Sequence, residues 1–354
     1  MTVESLASGR DNHFNLLRLS AAIAVIAYHA FTLSRGAAGH ASVTTSTGVD
    51  IGSAALLTFF AISGYFIFSS FERHTVSAFF IARVVRIGPA LLVCALICAF
   101  VIGTIFTSLS ARLYFSDPAV WLYSLRVISI VRIMGAHLPA VFASNPYPSA
   151  INDSLWTIYF EVACYAGLLL AGIATLLRGR RFGLLIGVYV CAYAVGRYGP
   201  WPQLYYFAYF SLPFVLGMTA YRFRAHGVLR LRWAAVLFGL AMVAAIAAHP
   251  IEELWTLAVA YGALSLGFAR APRLLRFNAL GDFSYGTYLY GFPLEQMIAA
   301  SVRGISPTAM ILIAVPSAVI CGACSWWLVE QPSLAAWHLG QPKASLGGTG
   351  APAH

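Results

Sequence analysis

Charged residues are scarce in this chain of 354 residues. Asp, Glu, Lys and Arg make up 10% of it, against roughly 25% in an average soluble domain. Hydrophobic residues make up 60%, more than a soluble globule can cover with polar groups. The apolar residues fall in blocks of about 16 to 23, the length that crosses a hydrocarbon layer of ~30 Å. These features exclude a soluble globular protein and predict a polytopic membrane protein.

Lysine is almost absent, since only Lys343 occurs among the 22 basic residues. The arginines that make up the rest of the net charge of +10 lie at the ends of apolar blocks. That position is typical of cytoplasmic charges that anchor helices. No basic run with interleaved aromatic residues stands apart from the apolar blocks, so we expect no nucleic-acid partner.

The six cysteines all lie inside apolar blocks. Cys321 and Cys324 form a C-x-x-C pair, but on a helix this spacing only places two small residues on one face. No cluster of His or carboxylate residues accompanies them, so we expect neither a metal nor redox chemistry.

Ten apolar segments predict an all-α bundle of about ten transmembrane helices. The segments are approximately 14–34, 51–71, 87–107, 154–176, 182–197, 203–222, 232–248, 253–269, 281–302 and 307–329. The first has no small-x-small cleavage site, so it is interpreted as a retained helix and not as a signal peptide. With the N-terminus inside, 16 basic residues lie on the cytoplasmic side and 6 on the outer side, together the 22 present. This excess predicts that both termini are cytoplasmic.

Two stretches are not predicted to span. Residues 73–87 mix arginines with large apolar residues, which suits a helix in the inner interface. Residues 108–153 form the longest loop, in which 119–136 is apolar and is expected to be interfacial or re-entrant. We expect one transmembrane domain over 1–337, with no soluble catalytic domain, and a disordered cytoplasmic tail over 338–354.

Arg18 and His29 are ionisable residues in the first segment. Eleven residues are about three helical turns, so both lie on one face, ~16 Å apart along the axis. Arg18 is expected at the cytoplasmic boundary and His29 in the outer half of the membrane. Burying a charge there costs at least ~2.5–3.5 kcal/mol, so such groups usually mark function. The alternatives are an anchoring arginine and a packing histidine.

Glu161 lies in the fourth segment, about seven residues, or ~10 Å, below the predicted outer boundary. His29 lies ~8–9 Å below the same boundary, so the two would share a depth and meet if their helices pack. A carboxylate beside a histidine fixes its tautomer and supports the cation formed when it takes a proton. The alternative is that Glu161 only ties helices together.

Arg83 and Arg86 are three residues apart and therefore neighbours on a helix surface. Paired guanidinium groups at the inner interface suit the phosphates of a cofactor or, alternatively, of lipid head groups. Asp282 and Glu330 are expected near the same boundary, and Glu295 further out. The polar residues thus lie at two depths in the membrane. This arrangement suits a charged donor that enters from the cytoplasm and an acceptor that arrives from outside.

Six motifs follow one another along the chain. They are Arg18-x10-His29, Phe59-Phe60 before Ser63-Gly64, Arg83-x-x-Arg86 ahead of Pro89, Ser154-Leu155-Trp156 followed by Glu161, SYGTYLYGFP from 284 to 293, and Glu330-x-Pro332. In these residues, and from about residue 13 to 333, the chain resembles acyltransferase family 3. Its members are bacterial integral-membrane O-acyltransferases that act on polysaccharides and other glycans.

The resemblance implies a multi-pass protein of the bacterial inner membrane that uses acyl-CoA, with acetyl-CoA as the expected donor. It implies that His29 is essential and that Arg18, Arg83 and Arg86 belong to the donor site. Glu161 would belong to the site itself, and the motif residues Ser63, Trp156 and Tyr288 are expected to bind substrate. One departure is Gly291, where many members have a histidine, so no catalytic role is expected there.

The resulting hypothesis is acyl transfer to a glycan or glycolipid hydroxyl, with His29, oriented by Glu161, as general base. A competing mechanism has His29 itself acylated. A transporter or flippase is the rival class, because intramembrane charges and a proline-kinked helix also occur there. The sequence shows no matching pair of broken helices in two halves, as that class would suggest.

Overall fold

The computed structural model describes residues 12–43, 49–131, 133, 136–247, 251–269 and 271–339. Within these ranges the chain is helical, with one isolated bridge between Thr107 and Val141 and no strand. This confirms the all-α prediction. Residues 340–354, most of the predicted tail, lie outside the described ranges.

Fourteen α-helices are assigned in the described part of the chain. They are α1 (Phe14–Arg35), α2 (Ala37–Val43), α3 (Ile51–Arg73), α4 (Val76–Phe106), α5 (Ala111–Ser116), α6 (Pro118–Ile128), α7 (Asp153–Ile173), α8 (Gly179–Tyr198), α9 (Pro202–Arg222), α10 (Leu231–Ile246), α11 (Glu252–Gly267), α12 (Ser284–Ser301), α13 (Pro307–Ser325) and α14 (Gln331–Leu339). A π-helical turn, Trp326–Glu330, joins α13 to α14, and a 3-10 helix, Pro272–Leu280, precedes α12.

Helices occupy all ten of the predicted segments. Five are long and apolar enough to cross a membrane by length and composition, namely α1, α3, α4, α7 and α13 with its continuation. The chain is therefore a multi-pass membrane protein. The number of spans and the cytoplasmic placement of the termini stay predictions.

The predicted interfacial helix over 73–87 is wrong as a separate element. A turn at His74 leads directly into α4, where the Thr75 side chain accepts a hydrogen bond from the Ala78 N–H. The helix then continues without a break to Phe106, including Pro89 and one π-helical turn. Its 31 residues extend about 46 Å, longer than the hydrocarbon layer. Arg83 and Arg86 of this stretch line a cavity inside the bundle, whereas Arg73 is exposed.

The apolar stretch 119–136 contains α6, a helix of 11 residues. Such a helix is about 16 Å long, so it does not cross a layer of ~30 Å. Its buried residues Val120, Tyr123 and Val127 lie on the face that packs against α4. Helix α6 thus packs along one side of α4, and the interfacial or re-entrant placement of the stretch stays a prediction.

The helices α3 and α9 cross with their backbones in close contact. A Cβ atom at Gly64 would lie 1.9 Å from the carbonyl oxygen of Phe214, and one at Gly217 would lie 2.1 Å from that of Ala61. Only glycine permits this approach, and small residues are the usual means by which membrane helices pack. Helix α1 lies at the centre, with α3, α12 and α13 around it.

Candidate active site

Helices α1 and α12 run side by side, and their contacts fix the positions of Arg18 and His29. Arg18 Nη1 lies 3.1 Å from Asp282 Oδ2, just before α12. The His29 ring contacts the Phe292 ring edge to face, at 5.3 Å between centroids. These contacts lie eleven residues apart on α1 and ten residues apart, in the same order, on the segment that contains α12. Helices α1 and α12 therefore run parallel. Arg18 and His29 thus share one face, as their spacing predicts.

Arg18, Arg83, Arg86, Ser63 and Glu161 line a cavity of about 290 Å³, the arginine pocket. It lies between α1, α3, α4, α7, α12 and α14, and Tyr165, Tyr285 and Trp337 also contribute to its walls. Five of the six motifs therefore contribute a residue to this cavity. The three arginines of the predicted donor site lie together, and Ser63, a predicted substrate residue, lies beside them.

Arg86 is fully engaged in ion pairs. Its Nη2 lies 2.7 Å from Asp282 Oδ2, and its Nη1 pairs with Glu330, whose side chain is 1% exposed. Glu330 also accepts a hydrogen bond from Ser325 Oγ at 2.8 Å. Because Asp282 also pairs with Arg18, two arginines and two carboxylates form one network. This network joins α1, α4, α12 and the end of α13.

Arg83 differs from its neighbour. No carboxylate of the described chain lies within 4.0 Å of it, and its buried Nε has no hydrogen-bond partner there. Its guanidinium group lies over the ring of Phe79, 5.8 Å from the centroid. Arg83 is therefore the arginine of the pocket whose charge remains available to a bound anion.

Glu161 lies in the arginine pocket and does not contact His29. Its Oε1 accepts hydrogen bonds from Ser63 Oγ, at 3.1 Å, and from the Tyr165 hydroxyl. The predicted pairing of Glu161 with the imidazole of His29 is therefore wrong. Tyr165 was missed by the sequence analysis, although its spacing of four residues from Glu161 is the signal for a contact on one helix.

The pairing fails because α7 begins far deeper in the bundle than its predicted boundary. Gln296 Nε2 donates to the carbonyls of Tyr147 and Ala150, at 2.9 and 2.7 Å. Asn152 Nδ2 then donates to the Leu289 carbonyl at 2.9 Å. The chain before α7 thus descends beside α12 in a non-helical form, which is tolerated because these side chains satisfy its backbone. Glu161 is carried ~10 Å deeper still, to the level of Arg83.

His29 and Trp156 line a second and larger cavity of about 1130 Å³, the His29 cavity. Its walls are rich in aromatic side chains, namely Tyr28, Tyr123, Tyr147, Trp156, Tyr205, Tyr206, Tyr209, Phe210, Trp255 and Phe292. Three carboxylates also line it, from Asp50, Asp153 and Glu252. A cavity of this size suits an extended ligand.

Tyr147 and Asp153 form one side of the His29 cavity. The Tyr147 hydroxyl donates to Asp153 Oδ2 at 2.9 Å, and its ring lies 6.2 Å from that of Phe292. Burial, followed by the neighbouring Asp153 carboxylate, raises the pKa of Tyr147 to about 12. The phenol therefore stays protonated at neutral pH and keeps donating to the carboxylate.

Tyr288 lies between the two cavities and lines neither of them. Its hydroxyl is 2.6 Å from Thr157 Oγ1 and donates to the Ser154 carbonyl at 2.6 Å. Its ring contacts Phe59 at 5.9 Å, within an apolar cluster that also includes Ala21, Ala22, Val25 and Ala55. We name this cluster the partition. Of the three predicted substrate residues, Ser63 thus lies in one cavity, Trp156 in the other and Tyr288 between them.

The basic residues of the loop 108–153 do not line the His29 cavity. Arg112 and His137 are exposed, Arg126 is half-buried, and Arg132 lies outside the described residues. The loop instead contributes Tyr123, Tyr147, Asp153 and smaller residues.

Glu295 is fully buried on α12, and neither of its carboxyl oxygens has a hydrogen-bond partner among the described residues. No group of three His, Cys, Asp or Glu residues in the described ranges has the arrangement of a metal site. Glu295 lines neither of the two cavities.

Fold and site together define a multi-pass helical membrane protein with two internal cavities of different character. A family model described as an acyltransferase domain matches residues 11–329. The chain belongs to this family, acyltransferase family 3, which confirms the resemblance seen in its motifs.

Three relatives are similar over nearly their full length. An O-acetyl transferase of Shigella phage Sf6 is 29% identical over 95% of this chain and 99% of its own. The exopolysaccharide production protein ExoZ of Rhizobium meliloti (strain 1021) is 27% identical over 88% and 99%, respectively. Nodulation protein 10 of Rhizobium leguminosarum bv. viciae is 24% identical over 93% and 94%. No solved structure gives a significant match.

Proposed function

We propose that this protein transfers an acetyl group from acetyl-CoA, bound at the arginine pocket, to a glycan hydroxyl in the His29 cavity. One observation carries the proposal. In a member of an acyltransferase family, an arginine available to an anion and a histidine in an aromatic cavity lie on opposite sides of the apolar partition.

The donor side follows from the charge of Arg83. Coenzyme A presents phosphates, and a guanidinium group binds phosphate through charge-assisted hydrogen bonds. Arg18 and Arg86 already share Asp282 and Glu330, so they hold the pocket together while Arg83 contacts the phosphates. Under the predicted topology this pocket opens to the cytoplasm, where acetyl-CoA is made.

The acceptor side follows from His29. In the proposed step the acceptor oxygen attacks the thioester carbonyl carbon, the C–O bond forms and the C–S bond breaks. His29 takes the hydroxyl proton and returns it to the departing thiolate, so that the products are the O-acetyl ester and free CoA thiol. A general base of this kind contributes about 10²–10⁴-fold. The competing route, in which His29 is acylated first, also requires this side chain.

The glycan acceptor is supported by the relatives. One is named an O-acetyl transferase and another an exopolysaccharide production protein. The many aromatic side chains around His29 suit the flat apolar faces of sugar rings. Under the predicted orientation the cavity opens on the outer side of a bacterial inner membrane, where glycans under assembly are exposed.

The test is release of CoA thiol from acetyl-CoA by the purified protein in lipid nanodiscs, with a panel of neutral and acidic oligosaccharides. The variants are His29→Ala and, as a matched control, His137→Ala, an exposed histidine outside both cavities. We expect acceptor-dependent release that is lost in the first and retained in the second. Equal activity of both variants would overturn the role of His29. A transporter, the rival class, would release no thiol.

A further inference from the structure

Among the residues that the structure describes, three carboxylates but no arginine or lysine line the His29 cavity. Two histidines, His29 and His40, also line it, and His40 lies near Asp50. Asp50, Asp153 and Glu252 all reach its walls, whereas neither arginine nor lysine does. Arg197 Nη2 lies 3.2 Å from Glu252 Oε2 and offsets part of its charge, but the Arg197 side chain does not line the cavity. The cavity therefore has a negative potential, which low-dielectric walls concentrate.

The same carboxylates hold aromatic side chains in place. Glu252 accepts hydrogen bonds from the Tyr205 hydroxyl at 3.0 and 3.2 Å, and Asp153 accepts one from Tyr147. Trp156 contacts the ring of Tyr206 edge to face at 5.4 Å. The result is a set of rigid aromatic faces beside fixed negative charges.

The two cavities thus differ in charge. The arginine pocket has three guanidinium groups, one of them without a carboxylate partner, beside the single carboxylate of Glu161, whereas the His29 cavity has three carboxylates and, among the described residues, no arginine or lysine. The partition between them is apolar. Like charges repel one another at a binding site, so the His29 cavity disfavours anionic ligands.

We propose that the His29 cavity selects acceptor saccharides that carry no negative charge and disfavours uronic acids and phosphorylated or sulfated sugars. The inference rests on the proposed function, because it names the acceptor class of the same site. The site is the aromatic cavity itself, and its carboxylates determine which saccharide enters. The same charge keeps the anionic CoA on the side of the partition where it binds.

Asp153 is the specificity residue that the structure singles out. Its carboxylate is exposed to the cavity and its recorded hydrogen bond is with Tyr147, whose ring contacts Phe292 beside His29. Asp50, in contrast, caps α3, and Glu252 pairs with Arg197. Asp153→Asn removes the charge near the histidine while the amide oxygen still accepts from Tyr147.

The first experiment measures the charge of the cavity without any need to know the acceptor. Ala37 lines the cavity and is exposed, so Ala37→Cys places a thiol there after Cys191, Cys321 and Cys324 are replaced by alanine. The remaining cysteines are buried. The thiol is treated with a cationic trimethylammonium-ethyl and an anionic sulfonato-ethyl methanethiosulfonate. Each rate is divided by the rate of the same reagent with a free thiol in solution.

We expect the corrected cationic rate to exceed the anionic rate by about tenfold or more at low salt. Adding Asp153→Asn or Glu252→Gln should reduce this ratio, whereas Glu72→Gln, which removes an exposed carboxylate away from the cavity, should not. A ratio near one, or a preference for the anionic reagent, would overturn the proposal. This readout does not depend on catalysis, so it can fail while the transferase activity stands.

The second experiment compares acceptors in the thiol-release assay. A neutral oligosaccharide that supports turnover is tested beside the same oligosaccharide with its primary hydroxyls oxidised to carboxylates. The methyl ester of the oxidised product, which lacks the same hydroxyls but is uncharged, is the control, and it should be used better than the free acid. We expect kcat/KM to fall at least about tenfold on oxidation, and Asp153→Asn to recover part of the loss. Equal use of both acceptors by the wild type would contradict the inference. No turnover with any acceptor would count against the proposed function, while the thiol-labelling ratio would still decide the charge of the cavity.

Discussion

Arg83 and Arg86 lie one helical turn apart on α4, but only Arg86 is paired with carboxylates. Asp282 and Glu330 occupy its guanidinium group, whereas Arg83 has no carboxylate within 4.0 Å in the described chain and shares its pocket with Glu161. The two arginines of one sequence motif therefore have different roles. One stabilises the bundle, and the other is available to the donor.

Replacing these two arginines one at a time should separate binding from stability. We expect Arg83→Gln to raise the KM for acetyl-CoA by about tenfold or more, because a charge-assisted hydrogen bond to phosphate is worth about 1.5–3 kcal/mol. Its apparent Tm should change little. Arg86→Gln should lower the Tm, since breaking a buried pair costs about 3 kcal/mol or more. KM and thermal unfolding are measured on both proteins, and a normal Tm for Arg86→Gln would contradict the structural role.

Glu330 and Glu72 provide a matched comparison of a buried and an exposed ion pair. The Glu330 side chain is 1% exposed and pairs with Arg86, whereas Glu72 is 40% exposed and lies 3.7 Å from Arg224. We expect Glu330→Gln to destabilise the protein by about 3 kcal/mol, and Glu72→Gln by no more than about 1 kcal/mol. Thermal unfolding in one detergent checks both. Equal losses of stability would show that burial does not determine how much each ion pair contributes.

Glu161→Gln should alter donor binding and leave the titration of His29 unchanged. The carboxylate lies beside Arg83 in the arginine pocket, so removing its charge should lower the KM for acetyl-CoA by about two- to fivefold. Gln can still accept hydrogen bonds from Ser63 and Tyr165. The fall of kcat at acidic pH should occur at the same pH as in the wild type.

A carboxylate in contact with His29 would behave differently. Such a partner raises the pKa of a histidine by about 1–3 units, so its loss would move the acidic limb to lower pH. A shift of this size in Glu161→Gln would therefore restore the pairing that the sequence predicts and the structure does not show. The wild type measured in parallel supplies the reference profile.

The helices could be predicted because each apolar run carries its own signal. Arg18 and His29 could also be placed on one face, since their spacing depends only on the geometry of a single helix. The depth of Glu161 could not, because it depends on how the preceding loop enters the bundle. That path is fixed by Gln296 and Asn152, whose hydrogen bonds join residues 137 to 149 positions apart.

The partners within the ion-pair network could not be predicted from the sequence either. Arg86 and Glu330 are 244 residues apart, so local spacing places both near one boundary but does not say which arginine receives the carboxylate. Tyr165 is the contrary case. It stands four residues after Glu161 on one helix, and that spacing alone would have predicted its hydrogen bond.

The close crossing of α3 and α9 should make Gly64 intolerant of any side chain. A Cβ at this position would lie 1.9 Å from the Phe214 carbonyl oxygen, which is backbone and cannot turn aside. We expect Gly64→Ala to cost more than about 3 kcal/mol, at or beyond the upper end of ordinary overpacking, because the two helices must separate. Gly239→Ala on α10 is the control, since nothing lies within 4 Å of its Cβ. Thermal unfolding of both proteins checks the difference, and two equally stable variants would mean that the backbones do not touch there.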